Sequence, residues 1–128
     1  MLHLRVRDGE LVSEEAWVYA WAGADGVVYV GATALHPATR TWLHLHDDDP
    51  DVGRMRARYA DLAKVELDVL AHQLPAGVDR QQVRHGAVAA FGERGLLSAR
   101  HVCDPPLAAA PHPETDAFVA AVAERLDA

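Results

Sequence analysis

Basic residues are scarce relative to acidic ones in this sequence, and cysteine is almost absent. Twelve lysines and arginines stand against 19 aspartates and glutamates, which gives a formal net charge of −7. Nonspecific binding to nucleic acid depends on attraction between phosphates and basic side chains, so this charge disfavours a protein devoted to that task. The single cysteine, Cys103, excludes an internal disulfide framework.

Long hydrophobic runs are missing as well. No apolar stretch is long enough to span a bilayer, and no charged-then-apolar leader opens the chain. We therefore expect a cytoplasmic protein with no membrane partner. The chain has 128 residues, of which 50% are hydrophobic, and this favours one globular domain with its own core.

The clearest pattern that is present is a β-hairpin followed by a third strand. Residues 16–22 and 27–32 are rich in Val, Trp and Tyr, which suit strands, and the glycine-containing segment 23–26 separates them. Residues 64–70 alternate between apolar and acidic side chains, which predicts a half-buried strand. Alternation over residues 1–12, at Leu2, Leu4 and Val6, predicts a short additional strand.

Helical periodicity accounts for most of the rest. Four helices are predicted. The first covers residues 37–46, and the second follows the capping acids at 47–51 and carries the apolar stripe Met55, Tyr59 and Leu62. The third runs from Asp79 to Gly95, and the fourth covers residues 114–127. The fold class is therefore α+β. We expect a small antiparallel or mixed three-stranded sheet flanked by helices, with an extra N-terminal strand and a C-terminal helix.

Several residues of the hairpin and the first helix occur in an order that resembles the GIY-YIG nuclease superfamily. The segment "WVY" at 17–19 corresponds to the first motif without its glycine, and "YVG" at 29–31 matches the second motif. The segment "TRTWLH" at 39–44 supplies an arginine and a histidine one turn apart. The resemblance covers residues 15–95. It implies a GIY-YIG-like domain over 1–105, followed by a linker and an amphipathic helix over 106–128.

The resemblance also implies a site. Tyr19 and Tyr29 would position or deprotonate water, Arg40 would stabilise charge on a scissile phosphate, and His44 would assist them. A divalent metal, Mg²⁺ or Mn²⁺, would polarise the phosphate. The function implied is a DNA-cutting hydrolase, an endonuclease.

Strand parity adds members to this pocket. Trp17 and Trp21 share the face of Tyr19, and Gly31 shares the face of Tyr29, provided that a three-residue loop or a bulge at Gly26 sets the register. Gly31 would leave room for another group beside the tyrosine.

The sequence departs from the family at the metal site. The family's metal-binding glutamate belongs in the helix after the third strand, but "RQQVRHGAVAAFGE" has no carboxylate between Asp79 and Glu93. Arg84 and His85 occupy the middle of that segment. The substitute metal ligands are then sought among four side chains: Glu66, Asp68, His85 and Glu93.

Ordinary structural roles compete with each functional assignment. Tyrosine is common in strands, and a helix arginine is most often a solvated charge. The histidines and acids of "HLHDDD" at 44–49 suit a structural loop that precedes a helix. An exposed strand acid or a helix histidine usually binds no metal.

Two kinds of function follow. The first is a metal-dependent DNA phosphodiesterase that uses Tyr19, Tyr29 and Arg40 and is weak or inactive without the glutamate. The alternative is a non-catalytic binding module, or a repurposed enzyme that uses the same pocket on a small anionic ligand. Its partner would be DNA, a protein or that small anion.

Overall fold

The computed structural model describes residues 1, 5–12 and 15–127. Leu2 and Leu4 of the predicted first strand lie outside these ranges. The elements, in chain order, are β1 Arg5–Arg7, β2 Glu10–Val12, β3 Ala16–Gly23, β4 Gly26–Thr33, α1 Pro37–His46, α2 Arg54–Arg58, a 3₁₀ turn Leu62–Lys64, β5 Asp68–Leu74, α3 Arg80–Glu93 and α4 Pro113–Asp127.

The predicted α+β fold is confirmed. β3, β4 and β5 form an antiparallel sheet in the order β4-β3-β5, with helices on both faces. The N-terminal strand is one arm of a separate two-stranded hairpin, β1-β2. Among the described residues, no helix combines the length and apolar character needed to cross a membrane.

One face of the sheet carries the larger core. Val18 and Ala20 of β3 and Val27 and Val30 of β4 are buried there against α3 and α4. Phe118 of α4 contacts Phe91 of α3 with 6.0 Å between ring centroids, and it belongs to the same buried cluster as the sheet residues. The C-terminal helix therefore shares one core with the segment that was predicted as the GIY-YIG-like domain.

The opposite face of the sheet is aromatic. Its buried residues come from the sheet and from the segment after α1, and the set is Tyr19, Trp21, Val28, Tyr29, Met55 and Tyr59. β3 contributes residues to both faces because successive strand side chains point to opposite sides.

The third strand is present, but the predicted bounds of 64–70 are wrong. β5 runs from Asp68 to Leu74, and Val65 is 38% exposed. The partner of Asp68 is Ala22, the next-to-last residue of β3. Within the described residues, the segment 64–67 pairs with no strand, so its alternation does not produce a β-ladder.

The second helix is shorter than its apolar stripe suggests. α2 ends at Arg58, and Tyr59 is its extended C-cap. Tyr59 and Leu62 still pack beside Met55 on the aromatic face. The preceding acids do not cap α2. Instead, the Asp47 carboxylate accepts a hydrogen bond from the Asp49 amide at 2.9 Å and holds the loop.

The segment after α3 lies along the outer side of β4. The Val27 amide donates to the Leu96 carbonyl at 2.9 Å, and the Ser98 amide donates to the Val27 carbonyl at 2.8 Å. The Val102 amide donates to the Val28 carbonyl at 2.7 Å. This irregular segment satisfies backbone groups of β4 that the sheet itself leaves free.

Gly31 allows the closest side-chain packing in the sheet. It pairs directly with Tyr19 across β3 and β4, and the Tyr19 ring lies over it. A Cβ atom at position 31 would overlap the phenol group, with Cε2 of Tyr19 at 3.0 Å and the oxygen closer. The space predicted beside Tyr29 is therefore filled by the other tyrosine.

We expect Gly31→Ala to lower the free energy of unfolding by about 1–3 kcal/mol, because the added methyl group forces the Tyr19 ring out of its packing position. Chemical denaturation measures this change. Gly92→Ala is the control, since its Cβ would lie 3.7 Å from Leu97 and make ordinary contact. Alanine also favours the helix there.

A double-mutant cycle identifies the cause. In a Tyr19→Ala background the ring is gone, so Gly31→Ala should cost much less than in the wild type. Equal costs in the two backgrounds would contradict the packing explanation.

Candidate anion pocket

Tyr19 and Tyr29 lie on the same face of the sheet, as their predicted joint role requires. Tyr29 pairs with Trp21, and the register shifts between Trp21 and Ala22, which leaves Val28 as the extra residue of a bulge. The ring centroids of Tyr19 and Tyr29 are 6.3 Å apart. The irregularity that sets this register therefore lies at Val28, two residues beyond the predicted position at Gly26.

His44 lies at the centre of the aromatic face. It projects from α1, is 0% exposed, and contacts three rings edge-on, with centroid distances of 5.7 Å to Tyr19, 5.5 Å to Trp21 and 5.3 Å to Tyr29. Its Nε2 atom is 2.6 Å from the Tyr19 hydroxyl oxygen. The histidine is thus part of the packed layer beneath the pocket.

The Tyr19–His44 pair is neutral near pH 7. Burial, followed by the nearby Arg40, lowers the pKa of His44 to about 3. Burial also raises the pKa of Tyr19, and Arg40 and Arg54 only partly oppose that rise. A phenol is a better donor than a neutral imidazole N–H, and imidazole nitrogen is the better acceptor. Tyr19 therefore donates a hydrogen bond to Nε2 of His44.

Two polar atoms of this layer, Nε1 of Trp21 and Nδ1 of His44, have no hydrogen-bond partner among the described residues. If His44 accepts at Nε2, its hydrogen is on Nδ1, and Nδ1 is buried without a hydrogen bond among the described residues. An unsatisfied buried donor costs about 1–3 kcal/mol. The Tyr19–His44 arrangement is therefore maintained by the surrounding packing rather than by complete hydrogen bonding.

A cavity of about 150 Å³ opens beside the tyrosines, at the edge of the sheet formed by β4. We call it the tyrosine–arginine cavity. Its lining is Tyr19, Tyr29, Ala32, Arg40, Arg54, Gln81 and Arg84. The predicted convergence of Tyr19, Tyr29 and Arg40 is present, and two further arginines join them.

Two of the arginines approach from the α1–α2 side. Arg40 donates from Nη1 to the Val52 carbonyl at 2.7 Å, which fixes its direction. Arg54 donates from Nη1 to the Tyr29 hydroxyl at 3.1 Å and from Nε to the Asp51 carbonyl at 2.9 Å. The Tyr29 hydroxyl accepts from Arg54, so its own hydrogen is free to donate into the cavity.

Arg84 approaches from α3, on the other side. Its Nε donates to the side-chain oxygen of Gln81 at 2.8 Å. His85 offers it no acceptor, because Nδ1 of His85 already accepts from the Leu107 amide at 3.0 Å. Burial and then Arg84 lower the pKa of His85, so its Nε2 carries the single ring hydrogen, and that hydrogen faces Arg84.

The cavity is strongly positive within an acidic chain. Among the described residues, Arg40, Arg54 and Arg84 form no ion pair with a carboxylate. Asp104 is near enough to raise the pKa of Arg54, after the larger effect of Tyr29, but it pairs with Arg58 at 3.0 Å. Three guanidinium groups and the hydroxyl hydrogen of Tyr29 therefore offer hydrogen-bond donors to a ligand.

The other predicted pocket residues lie outside the lining. Trp21 is buried against His44, and Trp17 contacts His36 with 5.8 Å between ring centroids. Gly31 lies beneath the Tyr19 ring rather than at the cavity floor. Sequence parity identified the correct face, but it did not show where along that face the cavity opens.

The four proposed metal ligands do not come together. Glu66, Asp68 and Glu93 are exposed, and Asp68 points away from the tyrosines because its neighbour Val69 packs with Trp21. His85 contacts Arg84 and Leu107. No group of three metal-ligating side chains occurs in the described part of the chain. A donor set dominated by arginines does not fit Mg²⁺ or Mn²⁺, which take oxygen ligands.

Four lining residues were not assigned to the site from the sequence, namely Ala32, Gln81, Arg54 and Arg84, and the two arginines are the charged ones. Arg84 had a signal, because it occupies the helix segment where a carboxylate was expected. Arg54 had none beyond its place in the basic run 54–58. Its contact with Tyr29 depends on the fold of the loop between α1 and α2.

Comparisons of this chain with protein-family models, curated proteins and solved structures gave no match. The GIY-YIG relationship therefore stays a prediction that depends on the residues of the hairpin and α1.

Burial of His44 predicts that the free energy of unfolding depends on pH. Its pKa in the folded chain, about 3, is below its ordinary value of 6.5, so only the unfolded chain takes up this proton between those values. The stability from neutral His44 is full above pH 6.5. It is lost as pH falls toward 3, by up to about 1.4 kcal/mol per pH unit.

Chemical denaturation between pH 7 and pH 4 measures the slope. His44→Gln should reduce it relative to the wild type. His46→Gln is the matched control because His46 lies exposed on the same helix, and its slope should follow the wild type. A His44→Gln variant with the full wild-type slope would contradict this assignment.

Proposed function

We propose that this chain is a GIY-YIG-like domain that binds a phosphate-bearing anion in the tyrosine–arginine cavity without a metal ion. The observation that carries the proposal is the entry of Arg84 into the cavity opposite Arg40 and Arg54. A carboxylate in that place would pair with Arg40 or Arg54 and offset their charge, whereas a third arginine adds to the positive charge that an anion meets.

The hydrogen-bonding capacity of the lining supports an anion. Guanidinium groups have no acceptors, and Tyr29 has a hydroxyl hydrogen available. Phosphate oxygens accept hydrogen bonds from planar guanidinium groups in a bidentate manner, and each charge-assisted bond is stronger than a neutral one. An anion would also relieve the repulsion among three guanidiniums that share a small space.

The same residues argue against the alternative of a metal-dependent DNA phosphodiesterase. A general base works best with a pKa near the operating pH. The pKa of His44 is about 3, and burial raises that of Tyr19, so this pair neither takes up nor releases a proton near pH 7. Binding is therefore favoured over nuclease or other hydrolase activity, and a small anion is favoured over DNA. A protein partner and a cytoplasmic location stay predictions.

Inorganic phosphate is the first probe, and isothermal titration calorimetry is the measurement. We expect Arg54→Gln to weaken binding about tenfold or more, because it removes a charge-assisted bond. Arg56→Gln is the matched control on the same helix, since Arg56 pairs with Asp48 and does not line the cavity. A chelator should leave the affinity unchanged. Unchanged binding by Arg54→Gln, or loss with the chelator, would contradict the proposal.

A nicking assay tests the alternative. We expect the wild type, incubated with supercoiled plasmid and Mg²⁺ or Mn²⁺, to cut weakly or not at all, because no carboxylate among the described residues lines the cavity to hold the metal. Tyr29→Phe and Arg40→Ala are assayed in parallel. Strong nicking by the wild type that both variants lose would establish the nuclease function instead.

A further inference from the structure

The proposed anion pocket has features that distinguish between kinds of phosphate. We propose that the tyrosine–arginine cavity selects a phosphate monoester, with its doubly charged terminal group, over a phosphodiester. This inference rests on the proposed function and adds the ligand class.

Charge is the first argument. Three guanidiniums line the cavity, and in the described ranges none pairs with a carboxylate. A phosphate monoester carries a charge of about −1.5 to −2 at pH 7, whereas a diester carries a single negative charge. The second charge of the monoester is the part of the ligand that a third arginine recognises.

Size is the second argument. The cavity holds about 150 Å³, below the roughly 300–1,000 Å³ of pockets that enclose whole small molecules. It accommodates a headgroup and leaves the rest of the ligand outside. Two tyrosines of the sheet line it, together with arginines from α1, α2 and α3. A monoester needs one exit for its single substituent, and a diester needs two.

Donor geometry is the third argument. A monoester has three terminal oxygens, each a strong acceptor. Arg40 and Arg54 approach from the α1–α2 side, and Arg84 approaches from α3. Tyr29 supplies a neutral donor from the sheet, while the Tyr19 hydrogen is directed to His44. A diester replaces one acceptor oxygen by an esterified oxygen, which accepts poorly and carries bulk toward one wall.

Methyl phosphate and dimethyl phosphate are the test pair, since they differ by one methyl group and one charge. Both are titrated into the full chain by calorimetry at pH 7.5, where the monoester is mostly doubly charged because its second pKa is about 6. We expect methyl phosphate to bind about tenfold or more tightly than dimethyl phosphate.

The Arg84→Gln variant tests whether Arg84 recognises the second negative charge of methyl phosphate. We expect this variant to weaken methyl phosphate binding while dimethyl phosphate binding changes little, so the ratio of the two affinities falls. Arg94→Gln is the control, since Arg94 is exposed at the end of the same helix, and its ratio should equal that of the wild type. Circular dichroism and denaturation confirm that each variant is folded.

The outcomes separate the two proposals. Equal affinities, or tighter binding of dimethyl phosphate, would overturn the inference and leave the anion-binding function standing. An equal loss for both probes in Arg84→Gln would likewise overturn the selectivity mechanism. Failure of methyl phosphate, dimethyl phosphate and inorganic phosphate to bind would overturn the proposed function itself.

Discussion

The packing of Tyr19 across Gly31 determines where the side chains around the cavity lie. Because residue 31 has no Cβ, the Tyr19 ring packs close to β4, and its hydroxyl oxygen lies 2.6 Å from Nε2 of His44. That bond ties α1 to the sheet, and α1 carries Arg40. Gly31 therefore influences the position of the Arg40 guanidinium indirectly, through the Tyr19 ring and helix α1.

The cavity also shows how binding capacity and stability oppose each other. Three guanidiniums without carboxylate partners in the described ranges repel one another, and His44 keeps an unsatisfied nitrogen below them. Functional sites often retain such unfavourable arrangements, which the rest of the fold must offset. Here the offset comes from two separate apolar clusters, one on each face of the sheet. A bound anion would add stability through mass action.

Local sequence patterns predicted the elements better than they predicted the site. The hairpin was predictable because strand residues flank a glycine turn. Strand parity placed Tyr19 and Tyr29 on one face only together with a bulge in the hairpin, and the bulge lies at Val28 instead of Gly26. The bounds of β5 could not be predicted from local alternation, because they depend on where pairing with β3 ends. Arg54 was missed for a similar reason. Its approach to Tyr29 requires a loop whose shape depends on turns such as that closed by Asp47, and no periodicity encodes such turns.

The segment that follows α3 has a consequence for the behaviour of this chain in solution. β4 is one of the two outer strands of the sheet, and the amides and carbonyls on its outer side are the groups through which one sheet joins another. Leu96, Ser98 and Val102 occupy several of them. The irregular course of this segment, with prolines at 105 and 106, offers no regular ladder to a further strand. The segment therefore protects the edge of β4 from pairing with another sheet. A chain truncated before Leu96 would expose that edge and would be prone to aggregate.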